Sequence, residues 1–404
     1  MISPLKPLLA LLFCLAVLLF DLFFEEILLV KRLHNVRLRI CVTGTRGKSS
    51  VTRLIASVLR ESGIRTLAKT TGSKPVWILP DGTEGEIRRA GWPSILEQKK
   101  VLRAAVRLHA DAVVAELMSI KPECLRVESQ KLLRPQILII TNVRLDHVED
   151  MGRTKPEIAQ SMASAIPCKG TLLVPEEEFY PAFQEAAETA GATVVRILKT
   201  VRQREFLQGP RGAFREFDEN IKTALAVADF LKIQEETARL GIQKARPDFG
   251  SLKVFKVRLA DPVRTWHVAS VFAANDPEST ENAILHLKRH GCAFPGKIIG
   301  LLNLRQDRGD RSLQWLKALE DGFFEDFERL FFIGDHAHAL GRRRKWVERS
   351  RPKISVLPGQ NPQKIMNRLF GCESGDALLI GLGNIGGLGG RLVDYWAKIG
   401  VEVS

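Results

Sequence analysis

Residues 43–50 read Thr-Gly-Thr-Arg-Gly-Lys-Ser-Ser, and each type in that order has a use against a phosphate group. Gly44 and Gly47 let backbone N–H groups curl around phosphate oxygens, and a helix opening at this point adds the positive end of its dipole. Lys48 would neutralise β- and γ-phosphates, and Ser49 would offer its hydroxyl to Mg2+, with Thr45, Arg46 and Ser50 completing the loop. The spacing departs from GxxxxGK[ST] at one point, because Val42 stands where the first glycine would.

Such a loop works only between a strand and a helix, and its flanks supply both. The run 36–42 (VRLRICV) is β-prone, while Val51, Leu54, Ile55, Val58 and Leu59 repeat at the spacing of one buried helix face and Gly63 marks its end. Two further apolar runs read as buried parallel strands. DAVVAE (111–116) finishes on Glu116, and QILIITNV (136–143) leads into Arg144, Leu145, Asp146 and His147. In a doubly wound sheet ligands gather at the carboxyl ends of strands, which would bring Glu116, Asp146 and His147 to the phosphate loop as metal ligands or water-positioning groups. A structural loop histidine and an interface charge weigh about equally on this argument alone. The α/β style resumes with KIIGLLNL (297–304), RLFFIGD (329–335) and ALLIGLGN (377–384), with the helical stretch 281–291 between. Pro247, Asp248 and Gly250 interrupt the helical pattern before it. The expected fold is α/β: a P-loop central domain (36–248) with a mostly parallel sheet, then a C-terminal α/β domain (249–404). The glycine-rich tail 381–391 has no βαβ unit after it and reads as a glycine-lined loop near the cleft.

The first 35 residues differ from the rest. Residues 8–20 are uninterrupted apolar sequence and 22–24 extend it past Asp21, approaching the ~20 residues needed to span a bilayer. No small-x-small cleavage site follows, and Lys31, Arg32, Arg37 and Arg39 outweigh Lys6. A single-pass membrane anchor with the catalytic body in the cytosol is expected. The net charge is +14, from 60 Lys and Arg against 46 Asp and Glu, which suits phosphates, anionic lipid or an acidic substrate. Without RNP, helix-turn-helix or finger signatures, no nucleic-acid partner is expected. The basic run 342–345, with Arg349, Arg351 and Lys353, reads as a solvated helix face. Six cysteines without paired CxxC spacing read as reduced thiols.

TGTRGKSS, the strand-end Glu116 and NVRLDH together resemble the ATP-dependent amide ligases of the Mur ligase superfamily. KTTGS (69–73) followed by Pro80-Asp81-Gly82, NVRLDHVEDMG (142–152), FAANDPEST (272–280) and NLRQDRGDR (303–311) are similar, over essentially the whole chain, to the poly-γ-glutamate synthase branch. That resemblance implies activation of a terminal carboxylate by ATP as an acyl phosphate, then displacement of phosphate by the amine of glutamate. The product would be a growing polyglutamate chain, as capsule or released polymer. It implies ATP and Mg2+, two ions, with Mn2+ as substitute, and small membrane subunits of a polymer export complex as partners. Carried over residue by residue, Lys48 binds phosphate, Ser49 the first Mg2+, Glu116 bridges the ions and His147 binds the second. Asn220 would contact adenine, Arg246 would sit near the family's hinge arginine, and Asp276, Ser279 and Arg305 would complete the site from the C-terminal domain. The catalytic group is then Lys48, His147 and Arg305. Two departures stand out. Where relatives carry a carbamylated lysine this chain has IAQSMAS (158–164), so a carboxylate or water would take its place at the second ion. The anchor also leads directly into the phosphate loop, which argues against a nucleotide-sugar precursor as substrate. The competing expectations are a membrane-tethered nucleotide-binding regulator or assembly ATPase, and a folylpolyglutamate-type ligase with another acidic substrate.

Overall fold

Apolar runs alternating with amphipathic helices build two separate sheets. The computed structural model describes residues 5–72, 74–89, 91–198, 216–260, 263–289, 296–307, 309–339 and 352–403. The basic run 342–351 lies outside them, and Lys353 opens a strand.

The first sheet has eight strands in the order β4-β3-β2-β5-β1-β6-β7-β8. They are β1 (Leu38–Thr43), β2 (Thr66–Lys69), β3 (Val76–Ile78), β4 (Glu84–Glu86), β5 (Ala112–Glu116), β6 (Ile137–Ile140), β7 (Thr171–Pro175) and β8 (Thr193–Ile197). All neighbours are parallel except β3 and β4. Strands covered on both faces need apolar residues at every position, not every second one, which is why β6 is Ile-Leu-Ile-Ile and wholly buried. β1 lies at the centre, with Val42 opposite Glu116 and Thr43 opposite Ile140, so three strands end at one level.

The helices of this half are α1 (Leu5–Asn35), α2 (Lys48–Glu61), α3 (Glu97–Arg107), α4 (Pro122–Arg126), α5 (Val148–Met151), α6 (Lys155–Ala163), α7 (Pro181–Ala190), α8 (Asp218–Phe230) and α9 (Glu235–Lys244). A π-helical turn, Val127–Leu133, continues α4. The expected apolar face of α2 is buried, but so are Thr52, Arg53, Ala56 and Ser57, because α8 and α9 pack on its other side. Gly63 ends α2 in the left-handed region at φ 83°. There Ile64 N donates to Leu59 O at 3.0 Å, closing the last turn. The apolar part of α1 is exposed throughout and long and apolar enough to cross a membrane, with a mean hydropathy of 2.6. The helix runs beyond that stretch, however, and Leu29 and Leu33, one turn apart, are buried in the first sheet's core.

The second sheet has seven strands in the order β13-β12-β11-β14-β10-β9-β15. They are β9 (Lys253–Leu259), β10 (Arg264–Ser270), β11 (Lys297–Leu304), β12 (Arg329–Gly334), β13 (Lys353–Val356), β14 (Ala377–Gly383) and β15 (Val401–Glu402). β9 pairs antiparallel with β10 and β15, and the rest are parallel. Helices α10 (Pro277–Arg289), α11 (Gly309–Glu320), α12 (Pro362–Cys372) and α13 (Leu388–Ile399) cover its faces. Phe272 stacks on Trp396 at 5.5 Å under Gly381, where a Cβ would come within 2.5 Å of the Phe272 ring.

Candidate active site

The loop between β1 and α2 turns on two glycines that tolerate no side chain. Gly44 has φ 129° and a Cβ there would lie 2.2 Å from Thr141 Oγ1, while Gly47 has φ 77° and its Cβ would lie 2.4 Å from Asn220 Oδ1. Asn142, just past β6, holds the loop by accepting from Arg46 N at 2.9 Å and donating to Arg46 O at 3.2 Å. Lys48 Nζ donates to Gly44 O at 2.7 Å and Thr45 O at 3.3 Å. Burial pushes the Lys48 ammonium below the usual lysine range, against the pull of Glu116.

At the end of β5, buried Glu116 accepts on one oxygen from Ser49 Oγ and from Thr71 N, both at 2.7 Å. A buried carboxylate and a hydroxyl are hard oxygen donors beside the phosphate loop and fit Mg2+, which takes one or two protein ligands and completes its shell with water and phosphate. No group of three or more His, Cys, Asp or Glu placed to hold an ion occurs among the described residues. His147 lies in the same cleft at the start of α5, at φ 50°, with Nε2 3.8 Å from Asp146 Oδ2. In the segment 158–164, Met162 of α6 lines the cleft.

The second sheet closes the other wall. The cleft, about 610 Å3, is lined by Gly44 to Ser50, Glu116, Asp146, His147 and Asn220 on one side. Asn275, Ser279, Arg305, Arg311 and Asn384 line the other. Across it runs a chain of ion pairs. Arg46 donates to Asp146 at 2.8 Å and to Asp276 at 2.9 Å. Arg311 donates to both oxygens of Asp146 at 3.0 Å and to Asn384 Oδ1 at 2.9 Å. Burial alone would favour the protonated Asp146 carboxyl, but Arg46 and Arg311 outweigh it and hold the group well below the usual carboxylate range. Asp276 also accepts from Ser279 N at 2.9 Å, capping α10. Next to it Asn275 sits at φ 65°, and among the described residues its buried Oδ1 has no hydrogen-bond partner.

Besides Asp276 and Ser279, already placed on the second wall, the expected site residues take different positions. Gly44, Thr45, Arg46, Gly47, Lys48, Ser49, Ser50, Glu116 and His147 meet in the cleft. Asn220 lines it too, but its Nδ2 is taken by buried Glu216 at 2.6 Å, a carboxyl that burial pushes up. Arg305 stands at the rim, paired with Asp307 at 2.7 and 2.9 Å and resting on Gly386, where a Cβ would lie 2.0 Å from its Nη1. Arg246 lies apart: it lines a different cavity of about 300 Å3 with Arg53, Arg60 and Lys244. Three residues were not singled out in the sequence: Arg311, present in the quoted NLRQDRGDR motif, Asn384 in the glycine-rich tail, and Glu216.

A phosphate loop on a parallel sheet, facing a second α/β sheet across one cleft, defines the Mur ligase class. The Mur ligase middle domain matches residues 42–208. Among solved structures, the bifunctional folylpolyglutamate synthase/dihydrofolate synthase of Yersinia pestis, complexed with AMPPNP and Mn ion, superposes with a TM-score of 0.64 over 92% of both chains at 14% identity. MurF of Acinetobacter baumannii gives 0.62 over 91% of this chain and 79% of that one at 16%. At such identities the likeness is one of fold. The poly-gamma-glutamate synthase CapB C-terminal domain matches residues 257–399. The capsule biosynthesis protein CapB of Bacillus anthracis is 31% identical over 90% of this chain and 77% of its own length. The PGA synthase CapB of Bacillus subtilis is also 31% identical, over 90% and 91%. The chain belongs to the CapB family, and it is an ATP-dependent amide ligase.

Proposed function

We propose that this ligase lengthens poly-γ-glutamate at the inner face of a membrane to which α1 anchors it, in two steps. The γ-phosphoryl group of ATP passes to an oxygen of a terminal carboxylate and ADP leaves. The amine of glutamate then attacks the acyl carbon, the C–O bond to phosphate breaks, and the amine gives up a proton as the amide forms. The observation that carries this reading is the single cleft in which a phosphate loop faces Asn275, Arg305 and Arg311 of a second sheet. A nucleotide switch would need only the first wall. An acyl phosphate is lost to water unless two walls exclude it.

In this reading Lys48 and the loop N–H groups bind the β- and γ-phosphates. Arg46 and Arg311 supply positive charge where the phosphoryl group transfers. Ser49 and Glu116 would hold Mg2+, with His147 beside a second ion, and the bound metal supplies charge neutralisation to the triphosphate. Asn275 Oδ1 accepts from a ligand N–H. The domains divide near Phe249, and α1 is the surface that small membrane subunits of an export complex would meet.

Membranes carrying the protein, given ATP and Mg2+, should release ADP in proportion to added glutamate and form a γ-linked amide. ADP release indifferent to glutamate, with no amide even when membrane partner subunits are supplied, would sink the reading. A product formed only with tetrahydrofolate would move the enzyme to the folylpolyglutamate type.

A further inference from the structure

The apolar run of α1 reaches Phe24 after about 25 Å at ~1.5 Å per residue, and two acids follow that tie the helix to the body. Glu25 pairs with Lys99 on α3 at 2.7 Å and Glu26 with Arg134 at 2.6 Å. At the other end of both helices, Leu38 N, just past α1, donates to Asp111 O, just past α3, at 3.1 Å. Ten residues separate Glu25 from Asn35 and ten separate Lys99 from His109, so α3 runs beside α1 in the same direction. Its N-terminus points toward the Phe24 end of the apolar stretch.

The chain enters α3 through a loop whose ends are fastened together. Arg89 grips Glu97 with two bonds, at 2.6 and 3.1 Å, so residues 91–96 project from the α3 N-terminus. This loop carries Trp92, 96% exposed, and Leu96, 55% exposed, whereas among the described side chains of α1 the most exposed large apolar one is Phe20, at 71%. Lys100 and Arg103 on α3, the helix that the loop enters, are exposed, as is Lys131, three residues before the Arg134 that holds Glu26. An indole and a leucine held on a loop, with exposed cations on the helix that follows, at the level where an apolar helix ends, match the headgroup layer of an anionic bilayer in both polarity and charge.

We propose that the 91–96 loop is a second membrane contact, with Trp92 and Leu96 seated in the headgroup layer of the bilayer that α1 enters. The inference rests on the reading of α1 as an anchor. Two points of attachment fix the rotation of the body about α1, and with it the direction in which the cleft faces. The link inward is short, because Glu97 also pairs with buried Lys69 at 3.2 Å, two residues before Thr71, whose N–H holds Glu116.

The test uses the full-length protein reconstituted into vesicles of phosphatidylcholine and phosphatidylglycerol, compared with Trp92→Phe. The fluorescence difference between the two isolates Trp92, whose exposure makes the substitution harmless to folding. Shallow-brominated lipid should quench that difference about twofold or more, and acrylamide should quench it less than free indole, as an interfacial indole requires. Co-flotation with the vesicles but a difference signal untouched by bromine and fully open to acrylamide overturns the loop contact and leaves the anchor standing. Shielding from acrylamide without bromine quenching assigns the loop to another protein chain and also overturns it. Failure of the full-length protein to co-float overturns anchor and loop together.

Discussion

Lys48 turns back on the carbonyls of Gly44 and Thr45, and burial depresses its ammonium. A triphosphate is a better partner for that cation than two carbonyls. Lys48→Ala should therefore lose about 10^3-fold or more of ATP turnover while the circular dichroism spectrum is kept; near-normal turnover would put the phosphate site elsewhere. Asp146 is the opposite case, a carboxylate whose ionised form the fold favours. Its contribution is fully present above its ordinary value of 3.8 and is lost as pH falls through the lower folded value. The urea stability gap between wild type and Asp146→Asn should thus be flat from pH 8 to 5 and shrink only below about pH 4; a gap already closing near pH 6 would contradict the assignment. The phosphate loop was legible because eight consecutive residues carry the whole signal. Arg311 was not: Arg305, Arg308 and Arg311 stand three residues apart in one motif, and only the placement of α11 shows that Arg311 crosses to Asp146. Arg246 likewise sits in an interdomain segment whose path sends it to another cavity.

Among the elements, β1 and α2 do most of the positioning, and the turn between them is vulnerable at Gly47. Alanine there meets both a left-handed backbone and Asn220 Oδ1 at 2.4 Å. Gly47→Ala should lower stability by about 1–3 kcal/mol, read by denaturant unfolding. Adding Asn220→Ala should restore only part of that, since it removes the clash and leaves the strain; full recovery would make the clash the whole cause. The interior parallel strands were readable because burial on both faces forces unbroken apolar runs. The antiparallel edges were not, since β4 is Glu-Gly-Glu and fully exposed, and β9 mixes lysines and arginine with its apolar residues. The burial at the end of α1 is hidden in the sequence for a similar reason. Its last turns look like a basic flank, yet Leu29 and Leu33 seat them in the core. Removing both side chains as alanine should cost about 4 kcal/mol or more, at 2–5 kcal/mol per buried leucine, and leave vesicle binding intact; loss of binding with unchanged stability would show the seat to be part of the anchor.

At the scale of the whole molecule, the +14 charge left several anionic partners open, and the cleft narrows them by where its cations point. Arg46 and Arg311 both converge on Asp146, and Arg46 also reaches Asp276. Lys155 and Arg144 pair with Glu278 across the same boundary, at 2.8 and 3.2 Å. The two sheets are therefore joined at the site mainly by ion pairs, a polar interface of the kind that permits relative motion. A triphosphate entering the cleft must compete with Asp146 and Asp276 for the same guanidinium groups, so binding cannot be an event of the first sheet alone. Hydrogen exchange with and without AMPPNP and Mg2+ makes this measurable. Amides of 43–50 on the first sheet, and those of 275–280 and around Arg305 and Arg311 on the second, should slow together by about tenfold or more, with the same nucleotide midpoint for all. Protection confined to 43–50 would mean that the second wall takes no part in nucleotide binding, which is what a tethered ATPase without ligase chemistry would give. A common midpoint is what a shared site requires, because ion-pair exchange on one wall cannot be completed without the other.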